Sequence, residues 1–229
     1  MLERNRSFRF YQPELGYDLP HDPFKAIIAP RPIGWISTVD EHGRQNLAPY
    51  SYFNAVSTRP PAVMFSSEGV KDSVRNAMST REFVCNLATA ALAEAMNQSS
   101  ASVPHEVNEF ELAKLATAPC RLVRPPRVAA SPAALECKVL DVLQLRDLDG
   151  RPTDRHVVLG QVVGIHIDES CLENGRFTTA KAVPLARCGY NDYASVTSVF
   201  SMLRPDKVRL TPHDCPMHIQ AVELRNVRF

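Results

Sequence analysis

Hydrophobic and polar residues alternate along much of the chain, and this alternation is the first guide to its structure. In a strand, successive side chains point to opposite faces, so a period of two predicts a strand. Turn residues cluster between such runs, at 40–43, 60–61 and 149–150. The predicted strands are 33–39, 46–56, 62–67, 82–88, 121–128 (broken by two prolines), 134–145 and 156–167.

Helical spacing of apolar residues is confined to short segments. It predicts helices at 73–80, at 90–98 behind Thr89 as the capping residue, and at 106–115. The segment 184–201 is mixed in character, and we predict an irregular loop there. Many strands linked by a few short helices favour a mainly β fold, an antiparallel barrel with helical appendages.

The two ends of the chain differ from its middle. Residues 1–19 carry charges and prolines with little periodicity and are predicted to form an N-terminal arm. Residues 20–205 are predicted to form one domain, and the polar segment 206–229 a C-terminal tail. The tail holds His213, Cys215 and His218, but no second pair of ligands completes a metal site, so we predict no metal.

Composition narrows the functional classes. The chain has 229 residues, of which 45% are hydrophobic and 22% charged, as in ordinary globular domains. Its net charge of +1 gives no electrostatic reason to bind nucleic acid. No apolar stretch is long enough to cross a membrane, and the N-terminus lacks the apolar core of a signal peptide, so we expect a cytoplasmic location. The six cysteines lack a CxxC pair and are expected to be separate thiols.

A cluster of hydroxyls and one lysine marks the junction between the third strand and the first helix. Unpaired N–H groups and the positive dipole end make a helix N-terminus suitable for an anion such as phosphate. The alternative is an ordinary helix capped by Asp72 or Ser73, with Lys71 in water. The residues of this cluster are Ser66, Ser67, Gly69, Lys71, Asp72 and Ser73.

A second informative segment is NLAPYSYF at 46–53. Pro49 removes a strand hydrogen bond, so the strand must be bulged, at an edge, or facing a ligand there. The small residues Ala48 and Ser51 beside aromatic residues would admit a flat ring; alternatively, the aromatic residues pack into the core of an edge strand. The chain has no GxSxG, HExxH or GxGxxG motif, which argues against common hydrolases and a Rossmann domain.

Seven segments together resemble the flavin reductase-like family with the FMN-binding split-barrel fold. They occur in the expected order between residues 20 and 196: RPIGWIST, NLAPYSYFNAVS, PPAVMFSS, KDSVRN, EFVCNL, HVVLGQVVGIHID and PLARCGYNDYASV. The resemblance implies an antiparallel Greek-key split β-barrel, FMN as cofactor, NADH or NADPH as a transient substrate, and a homodimer. Flavoredoxins and the reductase components of two-component monooxygenases share this layout.

The resemblance also implies which residues hold the cofactor. The phosphate would be held by Ser66, Ser67, Lys71 and Ser73, with Asp72 in the same turn and Arg31 assisting. Backbone groups would line the flavin ring at Asn46, Ala48, Pro49, Tyr50 and Ser51. The ribityl chain or ring edge would meet Ser37 and Thr38, while Arg187 and Tyr193 would close the pocket.

Two aromatic residues of these segments leave alternatives open. Trp35 shares its strand face with Ile33 and Val39, where packing into the core is commoner than stacking on a flavin. His156, the candidate catalytic residue, begins a strand and could reach the flavin or the nicotinamide, or simply be solvated.

The expected activity is that of an NAD(P)H-dependent flavin reductase that supplies reduced flavin to a partner monooxygenase. A flavin carries out hydride transfer itself, which fits the lack of an evident acid–base constellation. Two alternatives remain at this point. One is a flavoredoxin-like protein that takes electrons from a protein donor, and the other is a β-barrel interaction module without flavin.

Overall fold

A seven-stranded antiparallel sheet dominates the structure, a computed structural model that describes residues 7–202. Its strand order is β3-β2-β6-β9-β10-β5-β4, and short strands form smaller sheets beside it. The strands are β1 (Arg31–Pro32), β2 (Gly34–Val39), β3 (Gln45–Tyr50), β4 (Phe53–Thr58), β5 (Pro61–Glu68), β6 (Glu82–Leu87), β7 (Thr117–Ala118), β8 (Arg127–Val128), β9 (Ala133–Arg146), β10 (Pro152–Ile167), β11 (Leu172–Glu173), β12 (Arg176–Phe177), β13 (Leu185–Arg187) and β14 (Tyr193–Ser195).

Helices are short and lie between the strands. The longest, α2, opens directly after β5, and its N-terminus faces the end of that strand. The helices are α1 (Phe24–Ile27), α2 (Asp72–Thr80), α3 (Ala93–Gln98), α4 (Glu109–Leu112) and α5 (Thr179–Ala182), with single 3-10 turns at Pro13–Leu15, Ala90–Leu92 and Glu169–Cys171. None of the helices in the described part of the chain combines the length and apolarity that crossing a bilayer requires.

The sheet curls until its two edges meet. Strands β3 and β4 occupy opposite edges, yet only Ser51 and Tyr52 separate them in the chain. Two residues span roughly 10 Å at most between the strand ends, so the edges must approach each other there. The amide of Ser66 in β5 donates to the carbonyl of Tyr52 at 2.8 Å, which extends the β4–β5 ladder into this junction. The sheet is therefore a barrel that is split along one side.

One hydrophobic core fills the barrel. Phe65 and Phe83 pack edge to face with ring centroids 5.4 Å apart, and α2 closes the core with Val74 and Ala77. Phe53 of β4 lies directly on Gly34 of β2, where an added Cβ would come within 2.4 Å of the phenyl ring. The Phe53 ring thus packs on the backbone of Gly34, which has no side chain, at the split side of the barrel.

A second core covers the outer face of β2 and β3. Trp35 is fully buried there beside Met96 of α3 and Phe110 of α4. Its indole Nε1 donates to Ser99 Oγ at 2.9 Å, so the one polar atom of the ring is satisfied. Of the two alternatives for Trp35, packing into the core or stacking on a flavin, the structure shows packing into the core.

The structure departs from the predicted elements in four places. The predicted strand 46–56 is two strands, because the chain turns at Ser51. Only Arg127–Val128 of the predicted strand 121–128 is extended into a ladder, since the amides of residues 121–123 donate to the Glu136 carboxylate instead. The predicted helix 106–115 shortens to Glu109–Leu112. The predicted irregular loop at 184–201 contains β13 and β14, which pair with each other beside β1.

Five cysteines lie within the described residues, and all are unpaired, as predicted. Burial raises the pKa of Cys85 to about 12. The predicted tail at 206–229, with His213, Cys215 and His218, lies outside the described residues. A first structural unit ends at Val199, and of the second unit residues 200–202 are described.

Candidate functional site

A cleft of about 500 Å³ opens beside the N-terminus of α2, and we call it the α2 cleft. Strand β3 forms one wall, the first turn of α2 another, and the loop 99–103 a third. Seven of the predicted cofactor-binding residues line this cleft: Asn46, Ala48, Pro49, Tyr50, Lys71, Asp72 and Ser73. The structure thus brings the two informative sequence segments to one place.

The N-terminus of α2 is open to a ligand. Lys71 occupies the N-cap position in an extended conformation, and its side chain makes no capping hydrogen bond. The alternative of a helix capped by Asp72 or Ser73 is therefore wrong. Asp72 Oδ1 instead contacts Arg75 and accepts from His105 Nδ1 at 2.9 Å. Among residues 7–202, no side chain caps the first amides of α2, which lie next to an exposed ammonium group.

Ser73 is held in position by a buried polar network. Asn46 Nδ2 donates to Ser73 Oγ at 2.9 Å and to Thr38 Oγ1 at 3.2 Å. Asn76 Nδ2 also donates to Thr38, at 3.0 Å. The predicted ligand-binding residue Thr38 therefore acts here as an acceptor inside the protein. Its neighbour Ser37 is equally buried and donates to the carbonyl of Pro126 at 2.6 Å.

The rim of the α2 cleft carries a histidine between two carboxylates. His105 Nε2 lies 3.5 Å from Asp40 Oδ2, while its Nδ1 contacts Asp72. Burial alone would raise the pKa of Asp40, but hydrogen bonds from Arg44 and from the amide of His42 lower it to about 2. Asp40 is therefore negatively charged at neutral pH and lies 3.5 Å from the histidine beside the first turn of α2.

Two further titratable groups face this cleft. Burial raises the pKa of the Tyr50 phenol, whose ring packs on Phe65 with centroids 4.8 Å apart. Burial likewise raises the pKa of Glu109, although its carboxylate accepts from the amide of Leu47 at 3.0 Å. The Tyr50 phenol is therefore protonated at neutral pH, and its ring packs on the core of the barrel beside the cleft.

A second cleft, of about 430 Å³, lies on the other side of the β3–β4 turn, and we call it the Arg31 cleft. Three predicted cofactor-binding residues line it: Arg31, Ser51 and Arg187. The Arg31 guanidinium donates hydrogen bonds to three main-chain carbonyls: that of Ile28 at 3.0 Å, that of Cys188 at 2.8 Å and that of Lys25. Arg187 lies 4.4 Å from the ring centroid of Tyr193, with which it pairs across β13 and β14.

The remaining predicted residues line neither cleft. Ser66 and Ser67 lie on β5, one half-buried and one buried. His156 is the direct cross-strand partner of Ser67 on β10. The Ser67 Oγ and the His156 Nδ1 are both buried and lack hydrogen-bond partners in the described part of the protein. The assignments of Ser66, Ser67, Tyr193 and His156 stay predictions.

Sequence reasoning missed part of the α2 cleft. The loop 99–103, together with Arg75, His105 and Glu109, contributes about half of the lining. The serine-rich composition of this loop was the signal in the sequence that could have indicated a binding site. The position of the loop beside the sheet depends on the hydrogen bond from Trp35 to Ser99, which the sequence does not reveal.

Three potential metal ligands also meet away from both clefts: Cys120, Glu136 and His166. The Glu136 carboxylate accepts from the amides of residues 121–123 and from His166 Nε2 at 2.6 Å. All of its strong acceptor positions are used, so this carboxylate organises the 120–123 loop.

The fold and site define a split antiparallel barrel in which a helix N-terminus without a side-chain cap opens into a cleft. A family model for the flavin reductase-like domain matches residues 28–185, and the chain belongs to the flavin reductase-like family. The resemblance identified in the sequence is confirmed.

Individual proteins are also similar to this chain in sequence or structure. An uncharacterised protein of Aquifex aeolicus is 34% identical over 173 residues, which cover 73% of this chain and 85% of that protein. The structure of nitrilotriacetate monooxygenase component B from Bacillus cereus is 28% identical, with a TM-score of 0.78 over 86% of this chain and 100% of that one. A split-barrel protein from Shewanella frigidimarina, 19% identical with a TM-score of 0.72 over 80% of this chain and 90% of its own, shows the same fold. The predicted split-barrel fold class is confirmed.

Proposed function

We propose that this protein binds FMN in the α2 cleft and acts as an NAD(P)H-dependent flavin reductase. The observation that carries the proposal is the uncapped N-terminus of α2 beside Lys71 and Ser73, in a cleft bounded by the aromatic and small residues of β3. Membership of the flavin reductase-like family supports a flavin as the ligand.

The donors of the α2 cleft fit a flavin with a terminal phosphate. Lys71 and the first amides of α2 would hold the phosphate, and Ser73, oriented by Asn46, would donate a further hydrogen bond. Pro49 and Tyr50 would border the ring. A bound flavin supplies the hydride chemistry, while the residues of the cleft bind it, orient it and exclude water.

Replacing Lys71 by alanine tests the phosphate assignment. A charge-assisted hydrogen bond contributes roughly 1.5–3 kcal/mol, so FMN affinity should fall by about tenfold or more. Titration followed by flavin fluorescence measures this, with riboflavin as the ligand lacking phosphate. Lys138→Ala, at an exposed position on β9 away from both clefts, is the matched control. Equal affinity of the wild-type protein for FMN and riboflavin would contradict the assignment.

Steady-state oxidation of NADH or NADPH, with and without added FMN, tests the reductase activity. Turnover that depends on flavin supports a reductase. Flavin binding without oxidation of either nucleotide would favour the alternative, an electron carrier reduced by another protein. A purified protein that binds no flavin at all would instead favour the interaction-module alternative.

A partner monooxygenase is part of the proposal. One similar structure is that of nitrilotriacetate monooxygenase component B, and this likeness supports a separate oxygenase as the partner. If the purified protein alone oxygenated an organic substrate with NADH and oxygen, this division of labour would be wrong.

We also propose a homodimer. Apolar side chains remain exposed on the second half of β9, where Leu143 and Leu145 are 46% and 43% exposed. Strand β4 is an exposed edge with Val56 at 52%. A stable dimer should bury more than about 2,000 Å² of such surface. Light scattering gives the mass in solution; a monomer that retains FMN would refute a flavin site shared between subunits.

A further inference from the structure

The Arg31 cleft is strongly cationic. Lys25, Arg31 and Arg187 line it, and none of them takes part in an ion pair within residues 7–202. Asp22 is the one acidic residue in the lining, and its carboxylate accepts from the amide of Phe24 at 2.9 Å at the start of α1. Three positive charges against one negative charge create a field that favours an anion.

The central charge of this cleft is fixed in place. Arg31 is only 7% exposed, and its terminal nitrogens donate to the carbonyls of Lys25, Ile28 and Cys188. Carbonyl groups orient the guanidinium but carry no net charge to neutralise it. Its Nε is buried and has no hydrogen-bond partner among the described residues. An anion that enters the cleft therefore meets a charge that loses little side-chain freedom on binding.

Aromatic rings accompany these charges. Tyr17, Tyr52 and Tyr190 line the same cleft and are 36%, 43% and 52% exposed. The Arg31 guanidinium lies 6.0 Å from the ring centroid of Tyr52. Exposed tyrosines beside cations suit a planar ligand that also carries negative charge.

The wall that carries Tyr190 is built in advance. Gly189 packs so closely on α1 that an added Cβ would lie 2.4 Å from the Cβ of Ala26. The loop closes through a hydrogen bond from the amide of Cys188 to the carbonyl of Asp192 at 2.9 Å. Tyr190 adopts a φ of 52°, and its carbonyl accepts from Arg187. The ring is thus presented to the cleft by a braced turn.

We propose that the Arg31 cleft binds a nucleoside phosphate, with its base against the tyrosines and its phosphates on Lys25, Arg31 and Arg187. This extends the proposed function, because it offers a place for the adenosine phosphate end of the nicotinamide nucleotide. Two consecutive residues at the end of β3 line different clefts, Tyr50 the α2 cleft and Ser51 the Arg31 cleft, so the clefts are neighbours along the chain. Arg31, Ser51 and Arg187 would then contact the nucleotide and not FMN.

Binding of ADP by isothermal titration tests the proposal, with adenosine and inorganic phosphate as partial ligands. We expect ADP to bind more tightly than either. Lys25→Gln removes one exposed cation without touching the fold and should weaken ADP by about fivefold. Tyr190→Leu keeps apolar bulk but removes the ring, and should weaken ADP while leaving inorganic phosphate unchanged. Lys138→Gln, an exposed lysine on β9, is the matched control.

The outcomes separate this proposal from that for FMN. Lys71→Ala should weaken FMN without affecting ADP, and Lys25→Gln should do the reverse. If ADP does not bind, binds no more tightly than inorganic phosphate, or is insensitive to both Lys25→Gln and Tyr190→Leu, the nucleotide site is refuted while the FMN proposal stands. ADP binding in a protein that takes no flavin would uphold the nucleotide site and refute the proposed function.

Discussion

Replacing Asp40 by asparagine should destabilise the protein at neutral pH and do so progressively less in acid. Asp40 follows β2, and its Oδ1 accepts from the amides of His42 and Arg44, both at 2.8 Å. Its Oδ2 accepts from Arg44 Nε at 2.6 Å. Asparagine can still accept through its amide oxygen, but it loses the negative charge.

The size of the effect follows from the pKa of Asp40. Burial opposes ionisation, yet the hydrogen bonds from Arg44 and His42 lower the pKa from an ordinary 3.8 to about 2. A pKa lowered by folding stabilises the native state above the unfolded value, and this stabilisation is lost as the pH falls through the folded value. It amounts to roughly 2 kcal/mol above pH 5 and disappears near pH 2. The melting temperature at pH 7 should fall by about 4–8 °C.

Urea unfolding of wild type and Asp40→Asn at several pH values between 3 and 7 measures this difference. Other carboxylates titrate in both proteins, so the difference isolates Asp40. Asp141→Asn, an exposed carboxylate on β9 whose Oδ1 accepts from the neighbouring amide of Val142, is the control. A free-energy difference that is absent at pH 7, or that stays constant down to pH 3, would refute the reasoning.

Two further predictions concern the barrel. Gly34→Ala should destabilise the folded protein by about 1–3 kcal/mol, because the new methyl group meets the Phe53 ring. Phe53→Leu in the same chain should relieve part of that cost. Thermal unfolding of the single and double variants measures both effects, and additive effects would exclude this contact as the cause. Glu136→Gln should speed hydrogen exchange of the amides of residues 121–123, because an NH₂ group then faces backbone donors. Glu94→Gln, at an exposed position, is the control and should not change this exchange. Unchanged exchange in the Glu136 variant would show that the carboxylate does not organise the loop.

Local pattern predicted the long strands β5, β9 and β10 well, because more buried and more exposed residues alternate along much of their length. Alternation placed Trp35 correctly, and the turn residues after Val39 and before Pro152 marked two hairpins. The division of 46–56 into β3 and β4 was not visible, since nothing local shows that the chain crosses between opposite edges of the sheet there. The failure at 121–128 has a similar origin, because Glu136 of another strand takes the amides that a ladder would use.

The candidate site was predicted where its residues are contiguous. The segments 46–50 and 71–73 lie in one cleft, as the family resemblance implied. His105 and the loop 99–103 were missed because they reach the cleft through the second core. The resemblance implied that Arg31 assists in holding the FMN phosphate, whereas the structure places it in the other cleft, where carbonyls of residues 25, 28 and 188 orient its guanidinium. Such partners lie up to 157 positions away and leave no local signal.

The strand order also governs what the ribosome exposes during synthesis. Strand β5 lies between β4 and β10, and its register pairs Glu68 with Arg155, 87 residues later. Translation at about 5–20 residues per second takes roughly 4–17 seconds to add these residues, so β5 lacks its partner strand for that time. During that time its apolar face and one open edge are available to other chains or to a chaperone. A nascent chain that stops before Pro152 cannot complete the barrel, so the vulnerable period of this protein ends only when β10 emerges.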